Sequence, residues 1–448
     1  MRIGVVGVGY VGLVTAISFS AKGFEVVAVD VDARRIAQLQ SGHLPFVEPS
    51  LEVFLGTASA LRAIHWSVDV NALDGCQVVF VCVGTPTGHS GGLDVSGVVN
   101  GATAVARVIR RGVIAIKSTV PVGTTRAVAG AVGRVGVSVV AVPEFLVQGS
   151  ALNGAMRPSR VVIGTCSDQD DVDLLKPIFK SDRVLVVSAE EAELIKMGSN
   201  TFLAARVALI NELADVAERV GADVRQVAKG IGLDPRIGPS FLDAGPGYGG
   251  SCFPKDVSGL EVAGRAAGAS MTLVGAIHQS NVDRITGLVD WIWDRVGDPA
   301  GKRFALDGLA FKAGTDDVRG SPAIFIAKFL DHAGAEVWVD QREVGAAAIA
   351  EVPFVRIADH VGALLEGADV FVVVNGPDKS DGRVRATVEA IKRERPVVLD
   401  LRGAYRDLVA SIKGVEYHEI GLGTHPDLVV GGDEPSTVSP SGGKQLGL

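Results

Sequence analysis

Near the start of the chain an apolar run, Ile3–Val6, leads directly into Gly7-Val8-Gly9-Tyr10-Val11-Gly12. No other feature constrains the fold as strongly. The first glycine permits a tight turn, the second lets backbone approach a pyrophosphate, and the third lets a helix pack closely on the preceding strand. A second apolar run, Glu25–Val29, ends in Asp30. A carboxylate there accepts hydrogen bonds from an adenosine ribose 2′-OH and repels a 2′-phosphate. The pattern predicts a βαβ unit that binds NAD rather than NADP. Arg35 follows on the next helical stretch, either near the adenosine or on a solvated face.

Further short runs rich in Val and Ile follow at Val78–Val83, Val113–Lys117, Val139–Val142, Val161–Gly164 and Val184–Val187. They are apolar on both alternating faces, as in a parallel sheet covered on both sides. Hydrophobic residues make up 47% of the 448, and charged residues 21%, so the chain can bury a large core. A helical stretch spans Glu190–Val220; it is led by acidic residues and stopped by Gly221. At 1.5 Å per residue it extends ~45 Å, a length suited to joining domains or building a dimer interface. Beyond a linker at Asp298–Lys302, strand patterns resume at Phe304–Leu309, Val337–Asp340, Val370–Val374 and Val397–Leu401. The expected class is α/β, with two Rossmann-like doubly wound domains joined by a long central helix and a helical middle domain. The expected boundaries are 1–190 for the dinucleotide domain, 191–299 for the helix and helical dimerisation domain, 300–424 for the second Rossmann-like domain, and 425–448 for a flexible tail.

The net charge of −8, with no Lys/Arg-rich tract, disfavours a nucleic-acid partner. No apolar run reaches the ~18 residues of a membrane span. Four cysteines without metal or redox spacing suit a reducing cytoplasm and predict no metal.

Five further motifs bear chemistry. The loop Gly245–Gly250 holds four glycines, costly in a regular element but useful where backbone wraps a ligand. Cys252 follows it, with Lys255 and Asp256 nearby, either as a tuned nucleophile or as an inert thiol. Lys196 and Asn200 share a helix face, where they can converge on a developing oxyanion. Ser118–Thr125, with Thr119, and Pro143-Glu144-Phe145 sit at carboxyl ends of strands, where doubly wound sheets bind ligands. Glu144 there is either a general base acting through water or a polar strand end. Phe311–Arg319 offers Lys312 and Arg319 to phosphate, or is a solvated loop.

Together, over residues 1 to about 405, these motifs resemble the nucleotide-sugar dehydrogenase family, and within it the UDP-glucose 6-dehydrogenase branch. The most specific is Gly247–Asp256, in which Tyr248 and Phe253 favour that branch over the GDP-mannose one. The resemblance implies two successive hydride transfers at C6 of UDP-glucose, from alcohol to carboxylate, consuming two NAD⁺. Cys252 would form a thiohemiacetal and then a thioester, which water hydrolyses. Lys196 and Asn200 would stabilise oxyanions, and Asp256 would orient the water or assist as a base. Thr119 and Glu144 would hold the water, with Glu144 as general base. The implied cofactor contacts are Gly7, Gly9, Tyr10, Val11, Gly12, Asp30, Arg35, Thr85, Pro86, Thr119, Gln148 and Arg319, the last reaching from a neighbouring subunit in the family. The implied substrate contacts are Phe145, Leu146, Lys196, Asn200, Arg236, Phe241, Tyr248, Gly249, Phe311, Lys312 and Arg402, with a UDP-sugar held by residues 300–424. A homodimer or higher homo-oligomer is implied too. The alternative is the same chemistry on TDP-glucose, GDP-mannose or a UDP-amino sugar. One departure stands out: the family's PEF-L-R-E-G reads Pro143-Glu144-Phe145-Leu146-Val147-Gln148-Gly149 here. Either Gln148 keeps a hydrogen bond near the nicotinamide at little cost, or hydrolysis depends on the missing carboxylate.

Overall fold

Short runs of branched residues form the strands, and the chain leaves each ladder at a loop rich in small or polar residues. The computed structural model describes residues 1–423 apart from 49, 52–62, 89–90, 168–171, 180, 341–345, 377–382 and 410–411; the expected tail, 425–448, lies outside the described residues. Among the described residues the first sheet comprises β1 (Arg2–Val6), β2 (Glu25–Val29), β3 (Ile64–Ser67), β4 (Val78–Val81), β5 (Gly112–Ile116), β6 (Val137–Ala141), β7 (Val161–Thr165) and β8 (Val184–Ser188). Their order is β3-β2-β1-β4-β5-β6-β7-β8. Pairing is parallel except between β6 and β7, which meet antiparallel at Ala141 and Gly164. The order reverses between β1 and β4, which opens a crevice at their carboxyl ends. The loops after β1, β4, β5 and β6 carry Gly7–Gly12, Thr85-Pro86, Thr119 and Glu144 respectively, so the topology alone brings these motifs to one edge.

The second sheet comprises β9 (Arg303–Leu306), β10 (Glu336–Asp340), β11 (Arg356–Ala358), β12 (Val370–Val373), β13 (Val397–Asp400) and β14 (Tyr417–Glu419), in the order β11-β10-β9-β12-β13-β14. All its pairings are parallel. Phe311–Arg319 follows β9 and Arg402 follows β13, again at the carboxyl edge.

The long helix runs from Ala189 to Val220. Ser188 caps it: its hydroxyl accepts from Glu191 N at 3.2 Å, while the Glu191 carboxylate accepts from Ser188 N at 2.8 Å. Gly221 ends it in the left-handed conformation. Its alanines pack inward; Ala192 lies against Gly164 of β7, where an added Cβ would stand 2.5 Å away. The opposite face leaves Leu194, Phe202, Leu209 and Val216 exposed.

The structure corrects the sequence reading in places. β3, β11 and β14 were not foreseen, being short and interrupted by polar residues. The runs Val78–Val83 and Phe304–Leu309 leave their ladders at Val81 and Leu306, where the chain turns towards the ligand edge. β8 is not covered on both faces: Leu185 and Val186 are exposed at the sheet's edge.

Candidate active site

The glycine turn after β1 fits a dinucleotide by shape. Gly7 has φ 86°, and a Cβ on Gly12 would stand 1.8 Å from the Gly7 carbonyl oxygen, so neither position admits a side chain without rebuilding the turn. Beside Gly9 there is open space within 4 Å, as close approach by a pyrophosphate requires. Asp30 accepts from Val8 N at 2.6 Å and from Asp32 N at 2.9 Å, and pairs with Arg35 at 3.3 Å. A carboxylate has about four acceptor positions, which leaves capacity for a ribose hydroxyl. Thr85 Oγ1 donates to the Thr119 carbonyl at 2.8 Å, joining the loops after β4 and β5; Pro86 lies beside it, its carbonyl accepting from Asp94 N.

Two buried charge-bearing pairs lie behind Cys252. On the long helix, Lys196 Nζ donates to Glu144 Oε1 at 2.9 Å, and Leu146 N donates to the other oxygen at 2.6 Å. One turn on, Asn200 Nδ2 donates to Asp256 Oδ2 at 2.6 Å, and Lys255 Nζ donates to Oδ1 at 2.6 Å. Asn200, a polar residue in an apolar stretch, thus finds the partner its burial demands. Burial opposes the charge of Glu144, but Lys196, the Leu146 amide and Lys117 outweigh it and hold the carboxyl below its ordinary range. Burial likewise opposes the charge of Lys196, but Glu144, Asp256 and Cys252 push its ammonium up. Both groups are therefore charged. While this pairing with Lys196 holds, the Glu144 carboxylate is a weak base. Phe145 packs its ring 5.5 Å from Lys196 Nζ and 3.8 Å from the Arg160 guanidinium.

Cys252 sits at the start of the helix Phe253–Ala266 and is exposed as a residue. Desolvation by the surrounding protein, with Glu144 and Asp256, pushes the thiol up, while Lys196 and Lys255 pull it back. Glu144, Lys196, Asp256 and Lys255 thus all act electrostatically on one sulfur.

The glycine-rich loop is held from two helices. Asn211 Oδ1 accepts from Gly245 N at 2.8 Å. Asn281 clamps Tyr248 from both sides, accepting from its N–H at 2.8 Å and donating to its carbonyl at 3.0 Å. The Tyr248 ring is buried against Phe253, so it supports the loop from the core. A Cβ on Gly249 would stand 2.2 Å from the Gly320 carbonyl oxygen; the loop meets the second Rossmann-like domain there, beside Phe311. Phe241 is half-exposed with φ 61° and lies 6.1 Å from Phe253. Arg402 Nε donates to the Val374 carbonyl at 3.1 Å and packs beneath Gly245. Burial pushes its guanidinium down, opposed by Asp307, Asp243 and Asp400.

Three of the expected contact residues have other partners within this chain. Gln148 Nε2 donates to Thr315 Oγ1 at 2.7 Å and its carbonyl accepts from Lys312 Nζ at 3.2 Å, so it bridges to the second Rossmann-like domain. Arg236 points into solvent, 87% exposed, and pairs with Asp234 at 2.6 Å. Arg319 pairs with Asp317 at 2.7 Å and is 66% exposed. Each arginine pairs with a local carboxylate two residues away; Arg319 also acts electrostatically on Cys252, and its main-chain carbonyl accepts from Gly250 N at 2.8 Å.

Other members escaped the sequence reading. Glu48 is fully buried; it accepts from Tyr10 OH, Ser50 Oγ and Gly149 N, tying the cofactor turn to the Gln148 loop. Asn211, Asn281 and Glu193 were also missed. Their one signal was a polar residue inside an apolar helical pattern. Among the described residues no group of three His, Cys, Asp or Glu could hold a metal, and no helix is long and apolar enough to cross a membrane.

Residues 1–182 match the NAD binding domain of the UDP-glucose/GDP-mannose dehydrogenase family, 190–283 its central domain, and 305–407 its UDP binding domain. The chain is 35% identical over 433 residues to the UDP-glucose 6-dehydrogenase YwqF of Bacillus subtilis, covering 94% of this chain and 98% of that one. A UDP-glucose dehydrogenase from Pyrobaculum islandicum superposes with a TM-score of 0.83 at 33% identity, covering 94% and 98% of the two chains. A UDP-D-ManNAc dehydrogenase from Pyrococcus horikoshii does so with a TM-score of 0.79 at 27% identity, covering 94% and 100%. With all three of its domains present in order around the pairs behind Cys252, the chain belongs to the UDP-glucose/GDP-mannose dehydrogenase family of NAD-dependent nucleotide-sugar dehydrogenases.

Proposed function

We propose that the chain oxidises UDP-glucose to UDP-glucuronate in two steps at C6, with Cys252 as a covalent nucleophile. The observation that carries this reading is the grouping of the buried Lys196–Glu144 and Asn200–Asp256 pairs, of which Glu144, Lys196 and Asp256 act electrostatically on the Cys252 sulfur. A two-electron alcohol dehydrogenase needs no thiol there. The glycine turn and Asp30 would hold NAD⁺, which would supply the hydride acceptor for each oxidation, a fresh molecule replacing the reduced one before the second. In the first, the C6 hydroxyl gives up its proton through water to bulk solvent while Lys196 takes up the developing charge on the C6 oxygen. The Cys252 sulfur then adds to the aldehyde carbon and its proton leaves to a neighbouring base, giving a thiohemiacetal. Loss of the second hydride leaves a thioester. Water held by Glu144 and Thr119 adds to the acyl carbon, Glu144 accepts one of its protons, and the C–S bond breaks as the second proton passes to sulfur, releasing carboxylate and the Cys252 thiol. Asn200 and Lys196 stabilise the tetrahedral oxyanion.

UDP-glucose is favoured by the relatives of that name at 34–38% identity. The second reading, a UDP-amino sugar, is favoured by the likeness to the UDP-D-ManNAc dehydrogenase. Side-by-side kcat/KM on both substrates, with product masses, separates them. Two NADH per glucuronate are expected; one NADH with free aldehyde would sink the thioester route, as would full turnover by Cys252→Ser.

A homodimer completes the proposal. Leu194, Phe202, Leu209 and Val216 recur every seven to eight residues on the open face of the long helix, the spacing of a helix–helix seam. Light scattering on Phe202→Asp should show a monomer. A cytoplasmic location accords with four cysteines outside any disulfide.

A further inference from the structure

The helix Thr124–Val132 starts at Gly123, in the left-handed conformation, without a cap from its own segment. Its first amides are satisfied from elsewhere. Glu193, on the long helix, accepts from Gly123 N at 2.6 Å through one oxygen and from Thr125 N at 2.7 Å through the other. Glu193 is 3% exposed. It stands one turn before Lys196, and both line a crevice of about 10 Å³ with Ser118, Thr119, Val120 and Pro143, about the space of one water position. The loop that carries Thr119 is thus tied at one end by Thr85 and at the other by Glu193.

We infer that Glu193 is a positioning residue: its carboxylate locks the Thr119 loop to the helix that carries Lys196 and Asn200, and so fixes where the hydrolytic water sits. The inference rests on the proposed role of Thr119 and Glu144 in thioester hydrolysis. A carboxylate is required because two donors approach separate oxygens. Glutamine offers one acceptor oxygen and turns an amide against the second N–H; aspartate keeps the charge but is too short to reach both amides. An ordinary cap stabilises the fold and affects every catalytic step alike. A positioning residue affects one step.

The test uses Glu193→Gln and Glu193→Asp in the full-length protein, with UDP-glucose and NAD⁺ in pre-steady-state turnover. The expected result is a fast phase of NADH formation close to wild type, a steady state slowed about tenfold, as for one lost hydrogen bond to a charged group, and a larger NADH burst as thioester accumulates. NAD⁺ affinity should stay within about twofold, since the cofactor turn is untouched. Equal slowing of both phases, or none in a folded variant, overturns the inference. Hydrogen exchange of residues 118–126 tests the tie without turnover: it should accelerate in both variants, and unchanged exchange also overturns the inference. A wild-type enzyme that fails to make two NADH per sugar would instead sink the proposed function.

Discussion

Replacing Asn200 by Asp changes one atom and sets two carboxyl groups face to face. The amide nitrogen now lies 2.6 Å from Asp256 Oδ2, with Asn200 8% exposed and Asp256 fully buried. Two negative charges at that distance repel by about 6 kcal/mol at an effective dielectric of about 20, equivalent to roughly 4–5 pK units. Lys255, 2.6 Å from the other Asp256 oxygen, reduces this. The new carboxyl at 200 should therefore keep its proton up to roughly pH 6–8 rather than the usual ~4. With its proton it still donates to Asp256 and preserves the geometry, but no second hydrogen remains for the substrate oxyanion. The expected kcat at pH 6 is about 10²–10³ below wild type, the cost of one oxyanion donor. The shifted group has a raised pKa, so its useful form lies on the acid side and is lost as pH rises. Above the transition, activity should fall by about another tenfold per pH unit relative to Asn200→Ala, which has no group to titrate. The assay is kcat/KM for both variants from pH 5.5 to 9. A pH-independent ratio between them would refute the pairing of Asn200 with Asp256 during turnover.

Other perturbations test separate parts of the site. Because the Cys252 thiol is pushed up by desolvation and Glu144, inactivation of the unliganded enzyme by iodoacetamide should rise with pH through a midpoint above the ordinary ~8.5; a midpoint at or below 7 contradicts this. Cys76 and Cys82, buried and pushed up to about 11 and about 12, should not compete. Asp30→Asn keeps an acceptor for Val8 N but removes the charge, so the preference for NAD⁺ over NADP⁺ should drop at least about tenfold; an unchanged ratio would place discrimination elsewhere. Gln148→Glu adds a negative charge to the loop whose main-chain carbonyl accepts from Lys312, while Thr315 can still donate to the new side chain, so KM for UDP-glucose should rise up to about fivefold with kcat little changed. A tenfold gain in kcat would mean instead that hydrolysis had lacked that carboxylate.

Local pattern made much of this chain legible. The glycine spacing after Ile3–Val6, the helical face shared by Lys196 and Asn200, and the costly glycines before Cys252 are short-range features. Their conformational requirements act within a few residues, so sequence carries them directly. Which partner each group meets is a different matter. β6 delivers Glu144 to Lys196 across 52 residues, and the helix Phe253–Ala266 delivers Asp256 to Asn200 across 56. Gln148 reaches Thr315 across 167. The two carboxylates were candidates by motif, but only packing decided that Lys196 takes one and Asn200 the other. Glu48 and Glu193 carried almost no signal, because a buried carboxylate is recognisable only once the amides it satisfies are known. β14 escaped for a related reason. Glu419 is buried there against Arg406, and Tyr417 donates to Asp400, so the strand is held by polar contacts that no hydrophobic period records. Periodicity reports which faces must leave water; where those faces meet, and which polar groups are trapped between them, is settled by the tertiary arrangement that buries them together.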